Sequence, residues 1–535
     1  MLQLIKNVFK KEKISGIKNV LTQKYDVFFL IFAICISVVF RFLCRDFESE
    51  DYTMFLREWI NFYKENGGFF ALKDFEGDYN VLYQYILIII SYFKIESLYL
   101  IKLVSCIFDV ILAYGCSKYL GILGDNNKKQ RICFSVMILL PTVILNSSMW
   151  GQCDSIYACC IIWSLYYLAK KRNAISIALL TLAFLFKLQT IFIMPVFLIC
   201  FLKKEIKVKE LFVFPLVYII AFIPAFIFGK PLSAMIEAYV TQVTEYPLMV
   251  MNAPSVFSLI GLYDYNAVWE KNFIALTGIY VLAIVFSALK TSKNNILHIA
   301  LLCVVGVPFL LPHMHERYFY LSVIFAVLCV FAYGKRFIWI AVSVEVSSLI
   351  CYLHYFDFIN KYSDKILSYL LSSYTSVLLM ALALVLTIVF VFVKSLYNKP
   401  AIIYSVALTT VLSFVIFINT HFFVCTKDRM INFRSGNAYI ADDGKAMIPL
   451  RDFASSVGGN VYYNKQVQKI TVDYGKNTIF LAFDSDVAEM NGQQITIDEI
   501  VLKERCTYVS HSDIEKMFNM TCVRNNKNKI TFYKN

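Results

Sequence analysis

Residues 25–52 read YDVFFLIFAICISVVFRFLCRDFESEDY, and this stretch decides the class of fold. The run from Tyr25 to Cys44 is mostly apolar and close to the roughly 20 residues a helix needs to cross a bilayer. It follows Lys24 and has no small-residue cleavage site, so it reads as a retained span rather than a signal peptide. Immediately after it come Ser49-Glu50-Asp51-Tyr52. Two adjacent carboxylates thus stand where a span ends and water begins. A carboxylate there can stay ionised and still face a lipid-borne substrate, which is where a base acting on membrane lipids would sit.

The rest of the chain repeats this pattern. It has 535 residues, 59% hydrophobic and 17% charged, with a mean hydropathy of +0.62. Further apolar runs lie at Leu211–Phe228, Phe273–Leu289, Phe337–Leu353, Ile366–Val393 and Ile402–Val424. Backbone polar groups in lipid must pair internally, so such runs read as helices. The net charge of +13 does not point to nucleic acid. Its lysines and arginines fall in short clusters between apolar runs, the way membrane topology is written. Fifteen cysteines show no metal-ligand spacing, and most, such as Cys159-Cys160, lie in apolar runs where cysteine acts as a small hydrophobe. Cys506 and Cys522 could pair if the tail that holds them is outside.

Charge then orients the chain. The basic segment 1–24 belongs in the cytoplasm, and the loop 45–80, with Asp46, Glu48, Glu50, Asp51, Asp74, Glu76 and Asp78, belongs outside. Val81–Phe93 is short for a span, so it reads as interfacial or re-entrant. Taking later basic clusters as inside gives about 13 crossings over 25–424, with the C-terminus outside. The expected protein is an integral, multi-pass plasma-membrane protein.

After Val424 the pattern changes. Lys469–Tyr474 and Thr478–Phe483 alternate apolar and polar residues, as half-buried strands do. Asn491-Gly492 reads as a hairpin turn. Met447–Ala454 followed by two strands is echoed by Tyr508–Ile514 followed by two more. The phrase MIPLRDFASSVGGNVYYN (447–464) and the strand after it resemble the copper amine oxidase N-terminal-like domain. That resemblance implies a small α+β module at 425–535, extracytoplasmic, stalk-like or glycan-facing, and not a copper binder.

Five polar clusters fall on the outer side: Glu50-Asp51, Asp78-Tyr79-Asn80, Asn146–Ser155, Tyr246-Pro247 with Asn252, and Pro312–Tyr318. Shared sidedness would let them converge. Asp109, Lys187 and Gln189 interrupt apolar runs, where an ionisable group costs several kcal/mol and is a functional candidate by default. Asp109 reads more readily as an ion-pair or packing group, and Lys187 and Gln189 could instead form a turn between two short helices.

The phrases around these clusters resemble the GT-C class of polytopic glycosyltransferases. They are SEDYTMFLREWINFYKENGGFFALKDFEGDYN, LNSSMWGQCDSIYA, FLFKLQTIFIMPV, MNAPSVFSLI and LPHMHERYFY. Within that class the chain looks like a bacterial relative of glycosylphosphatidylinositol mannosyltransferase II, over residues 25–355. One departure is Val81-Leu82, where relatives carry proline. The resemblance implies an α-helical polytopic, GT-C-like membrane domain. It also implies inverting transfer of a sugar, mannose in those relatives, from a polyprenyl-phosphate donor to a glycan or glycolipid acceptor. In that reading Asp51 is the general base and Glu50 its neighbour or substitute. Arg317, Lys187, His315 and His313 meet the donor phosphate. Trp150 and Trp59 offer flat faces to a sugar, and Gln152, Asp154, Asn252, Gln189 and Asn80 read hydroxyls. No cofactor is expected, and a divalent metal at the histidine pair is not favoured. The alternatives are a transporter or flippase of lipid-linked glycans and a membrane-anchored glycan-binding surface protein.

Overall fold

The computed structural model describes residues 24–535 except 76, 78, 125, 238, 240–247, 291–295, 360–366, 368–369, 393–421, 428, 434–435, 442, 465–468, 484, 499, 504–505 and 527–528. The chain forms two compact units, Met1–Gln242 with Ile324–Ile338, and Val243–Val323 with Trp339–Asn535. It is mostly helical, with a β-rich C-terminal region.

Among the described residues, seven helices are long and apolar enough to cross a membrane, or eight if a pair bent by 53° at Leu140 counts as one. They include α1 (Lys24–Leu43) and Val208–Ile227, Ala267–Lys290, Lys335–Tyr355 and Ser373–Val391, which overlap runs read from the sequence. Five further apolar helices are only 10–17 residues long, so helix length alone accounts for fewer crossings than the charge pattern led us to expect. One boundary is corrected. The run Ile402–Val424 lies mostly outside the described residues, but its last two residues belong to a strand, where Val424 is 1% exposed. Backbone pairing to the C-terminal sheet claims them.

In the first unit the acidic loop is itself folded. Tyr52, Leu56, Ile60 and Tyr63 recur at helical spacing and are buried, giving one apolar stripe. They carry a π-helical turn, Tyr52–Leu56, into α2 (Arg57–Glu65). A 3₁₀ segment, Gly68–Asp74, then brings Phe75 to stack on Tyr63 at 4.8 Å. This core sits on α3 (Val81–Ser91), whose first amide is capped by the Asn80 side chain at 2.7 Å. Eleven residues at a rise of about 1.5 Å each reach about half of a hydrocarbon core. Next come α4 (Ser97–Leu123), α5 (Asn127–Leu139), α6 (Pro141–Ile144), α7 (Asp154–Ala169) and α8 (Asn173–Phe186). Asp109 of α4 is buried and paired with Arg41 of α1 at 2.7 Å, with Ser147 also donating to it. It is a packing group, as its position suggested.

The second unit opens with two short strands, β1 (Val250–Met251) and β2 (Met314–His315), paired in parallel. Its C-terminal region starts with β3 (Phe423–Thr426), β4 (Tyr439–Ile440) and β5 (Ala446–Pro449). The helix Leu450–Ser456, β6 (Asn460–Asn464) and β7 (Lys469–Tyr474) follow. Then come β8 (Asn477–Ala482), β9 (Val487–Met490), β10 (Gln493–Thr496) and β11 (Val501–Lys503). The chain closes with β12 (Cys506–Ser510), the helix His511–Phe518, β13 (Met520–Asn526) and β14 (Lys529–Lys534). The strand–helix–hairpin echo read from the sequence is therefore structural. Its two leading strands, β5 and β12, pair antiparallel, and its two helices meet through Phe453 and Phe518, 5.2 Å apart. Asn491 and Gly492, at φ of 51° and 83°, turn β9 into β10. Cys506 and Cys522 sit in different sheets and form no disulfide among the described residues. The region also touches loops of its own unit, where Ser455 Oγ donates to the Asp357 carboxylate and Lys503 pairs with Asp264.

One pH effect follows from this region. Lys445 lies 2.7 Å from Asp498. Its hydrogen bond, helped by serine hydroxyls, holds the Asp498 carboxyl down at about 2, against an ordinary 3.8. A carboxylate depressed in the folded state adds stability that is whole above its unfolded pKa and is lost as pH falls through the folded one. Acid titration should therefore loosen this region between about pH 4 and pH 2. The Asp498→Asn variant should lose that part of the transition; an unchanged acid profile by tyrosine fluorescence would show the pair to be inert.

Candidate active site

The first unit gathers its polar residues at the end of α1. Lys102, on α4, donates to the carbonyls of Cys44 (2.9 Å), Arg45 (2.9 Å) and Phe47 (2.6 Å). A cation is favoured at a helix C-terminus, where carbonyls lack intrahelical partners, so this buried lysine fixes the exit of the chain from α1. Ser49 follows. Its hydroxyl accepts from the Tyr52 amide at 3.2 Å and donates to the Trp150 carbonyl at 2.7 Å. Glu50 and Asp51 then occupy the first helical turn, where the helix dipole favours negative charge.

Asp51 is half-buried and held by two donors on one oxygen, Oδ2. They are Trp150 Nε1 at 3.0 Å and the Gln152 amide nitrogen. Both come from a second π-helical turn and its exit, Leu145–Trp150 with Gly151 at φ 77°. π-turns are rare and cluster at functional sites. The left-handed conformation at Gly151 reverses the chain so that Gln152 points back, and Ser105 Oγ pins the Gln152 carbonyl at 2.7 Å.

Gln152 links Asp51 to a buried ion pair. Its Oε1 accepts from the Tyr79 hydroxyl at 3.3 Å and Lys187 Nζ at 3.4 Å, so donors at the oxygen and the Asp51 acceptor at the nitrogen fix the amide orientation. Lys187 Nζ also lies 2.5 Å from Asp154 Oδ1, and Asn146 donates to Asp154 Oδ2 at 2.7 Å. Lys187 stands in extended backbone between α8 and the 3₁₀ turn Leu188–Ile193, the turn between two short helices that its position allowed. Asp51, Trp150, Gln152, Asp154 and Lys187 thus form one connected network drawn from three stretches of chain.

Several roles read from the sequence change with burial. Trp150 is fully buried, and Gln152 and Asp154 are each 2% exposed. These side chains hold Asp51 and Lys187 and present no face to a sugar. Lys187 is occupied by Asp154, so its charge is already offset. Asn80 caps α3. Trp59 packs edge-on against Phe75 and Tyr79, at 5.8 Å each. Glu50 is exposed, and Gln189 lies on the 3₁₀ turn, where its buried Oε1 makes no hydrogen bond among the described residues.

Asn252, His313, His315 and Arg317 belong to the second unit. Asn252, at φ 51°, bridges to His315 and donates to the Cys351 carbonyl at 3.1 Å. His313 has Nδ1 2.6 Å from the Leu248 carbonyl and Nε2 3.2 Å from Glu270. With both ring nitrogens engaged, it ties the loop together and has none left for a phosphate. His315 packs against Tyr318 at 5.2 Å, and Arg317 sits half-buried on the 3₁₀ turn Glu316–Phe319. Among the described residues no three His, Cys, Asp or Glu side chains gather as metal ligands. His354 meets the Leu371 carbonyl at 2.9 Å. Asp78, Tyr246, Pro247 and His421 lie outside the described residues.

Sequence reasoning missed Tyr79, Asn146, Ser49 and Lys102 as functional groups. Tyr79 and Asn146 stood inside clusters already singled out. Lys102 carried a plain signal, a lysine within an apolar helix, that was read for Asp109 and Lys187 alone.

Residues 426–533 match the copper amine oxidase N-terminal domain family. The match covers the C-terminal region and not the long apolar helices. No curated protein matches the chain.

Proposed function

We propose that the chain is a membrane glycosyltransferase. It moves a sugar from a polyprenyl-phosphate carrier to a hydroxyl of a glycan or glycolipid outside the cytoplasm. The observation that supports this most is the Asp51 carboxylate, oriented by Trp150 and Gln152 at a helix start next to the end of an apolar helix. A base must be aimed before its pKa matters, and this one is aimed by a network whose other end is a buried ion pair.

The chemistry balances simply. The acceptor oxygen bonds to the anomeric carbon from the face opposite the leaving group. The bond from that carbon to the phosphate oxygen breaks, and its electron pair leaves with the lipid phosphate. The hydroxyl proton passes to Asp51, and configuration inverts. Glu50, exposed beside Asp51, takes the proton onward to water. Lys187, Gln152 and Asp154 are positioning residues. Mannose as the sugar rests on the resemblance of the membrane phrases alone.

The test uses the full chain in detergent with labelled sugars on polyprenyl phosphate. A new glycosidic bond of inverted configuration, seen by NMR, is expected without any sealed compartment. Movement of intact lipid-linked glycan across vesicles with no new bond would replace the enzyme reading with transport.

A further inference from the structure

The network around Asp51 leaves one cavity of the second unit unused. It encloses about 250 Å³ and lies where the loop Gly261–Asp264 meets the C-terminal region. Tyr263 and Asp264 form one wall; Phe422, Asn437, Tyr439 and Tyr508 form the others.

Both walls are set by backbone geometry. In the sheet β11-β12-β5-β4, Tyr439 pairs with Met447 and Tyr508 with Pro449. Met447 and Pro449 are two residues apart, and alternate residues of a strand share a face, so the two tyrosines project the same way. Their rings meet edge-on at 5.3 Å. Gly436 closes in on them, since a Cβ there would collide with the Tyr508 hydroxyl. On the loop side, Gly261 reverses the chain at φ 70°, and the Met249 amide donates to the Tyr263 carbonyl at 2.8 Å. The cavity is thus walled before anything enters it.

Its chemistry is aromatic and polar, with charge offset. The Asp264 carboxylate is paired with Lys503, which also sits 5.0 Å over the Tyr439 ring. A phosphate would need a cation to spare, and this one is engaged. Burial pushes the Tyr263 and Tyr508 hydroxyls up in pKa, so both remain neutral O–H groups. Asn437 stands beside the Tyr263 hydroxyl, and among the described residues its buried Nδ2 makes no hydrogen bond of normal geometry. An amide and a phenol hydroxyl side by side offer N–H and O–H donors to a ligand acceptor. The part-exposed rings of Tyr263, Tyr439 and Phe422 beside a carboxylate, an amide and hydroxyls fit a ligand with apolar C–H faces and a rim of hydroxyls. The volume lies below the roughly 300–1,000 Å³ of drug-sized sites, which suits one ring.

We infer that this cavity binds a single neutral pyranose, such as the terminal sugar of an uncharged glycan. The binding needs neither the transfer reaction nor Asp51.

The experiment uses the full chain in lipid nanodiscs, free of glycosidic detergent, with methyl glycosides of glucose, galactose, mannose and N-acetylglucosamine as probes. Binding is read by saturation-transfer NMR and calorimetry. At least one glycoside should bind, and Tyr439→Ala and Asn437→Ala should each weaken it at least tenfold. The Asp51→Asn variant should bind as the unaltered chain does. Thermal midpoints check that each variant is folded; Asn437→Ala removes only an amide and keeps the test open should Tyr439→Ala unfold. Binding by none of the four glycosides, binding that survives both substitutions, or binding lost with Asp51→Asn would each overturn the assignment.

Discussion

Asp51→Asn should lower sugar transfer by about 10²–10⁴-fold, the usual contribution of a positioned general base, while leaving the fold intact. Asparagine keeps a carbonyl oxygen at the same place, so the Trp150 indole and the Gln152 amide can still donate to it. What disappears is the capacity to take a proton. The loss should therefore fall on kcat, with KM for the donor little changed. Glu50→Gln is the informative companion. Glu50 is exposed, and it is Asp51 that accepts from Trp150 and Gln152, so loss of Glu50 should cost far less. If Glu50→Gln proved the more damaging, the base would be misassigned; if neither variant altered turnover, the mechanism would fall.

The second large effect concerns stability. Lys187 and Asp154 are 6% and 2% exposed and lie 2.5 Å apart. Removing one partner of a buried pair strands the other charge and typically costs about 3–5 kcal/mol. Lys187→Met and Asp154→Asn should each lower the unfolding midpoint of the purified protein sharply. The double substitution should cost clearly less than the two added together, because it leaves no stranded charge. Lys187→Met should also slow transfer, since Gln152 Oε1 loses a donor and the amide that holds Asp51 gains freedom. Additive losses in the double variant would mean the pair is not coupled, and the proposed support of Asp51 would fail with it.

The extent to which the site was legible in the sequence differs residue by residue. Asp51 was legible because a carboxylate just past an apolar run is unusual whatever the fold. Lys187 was legible for the same reason, a charge inside an apolar run. The roles of Trp150 and Gln152 were not. Whether an indole offers its face to a ligand or its N–H to a carboxylate depends on which surface is buried, and spacing along the chain carries no record of that. His313 shows the same limit. Its partners, Leu248 and Glu270, are 65 and 43 residues away, and only their arrival turned a candidate ligand into a tie. The compact core of the acidic loop was readable in principle, since Tyr52, Leu56, Ile60 and Tyr63 follow a helical period, but charge dominated the reading.

By itself the sequence determined the apolar helices, the change of character after residue 424 and the duplicated strand–helix–hairpin pattern of the tail. These are properties of hydropathy and local period, and a few neighbouring residues suffice to express them. Tertiary structure alone decided that Gln152 joins Asp51 to Lys187, that Val424 serves a sheet instead of a span, and that Tyr439 and Tyr508 line one cavity with Tyr263. Hydrogen bonds and ring contacts act over a few ångströms in space, and residues a hundred positions apart come within that range only once the chain has folded.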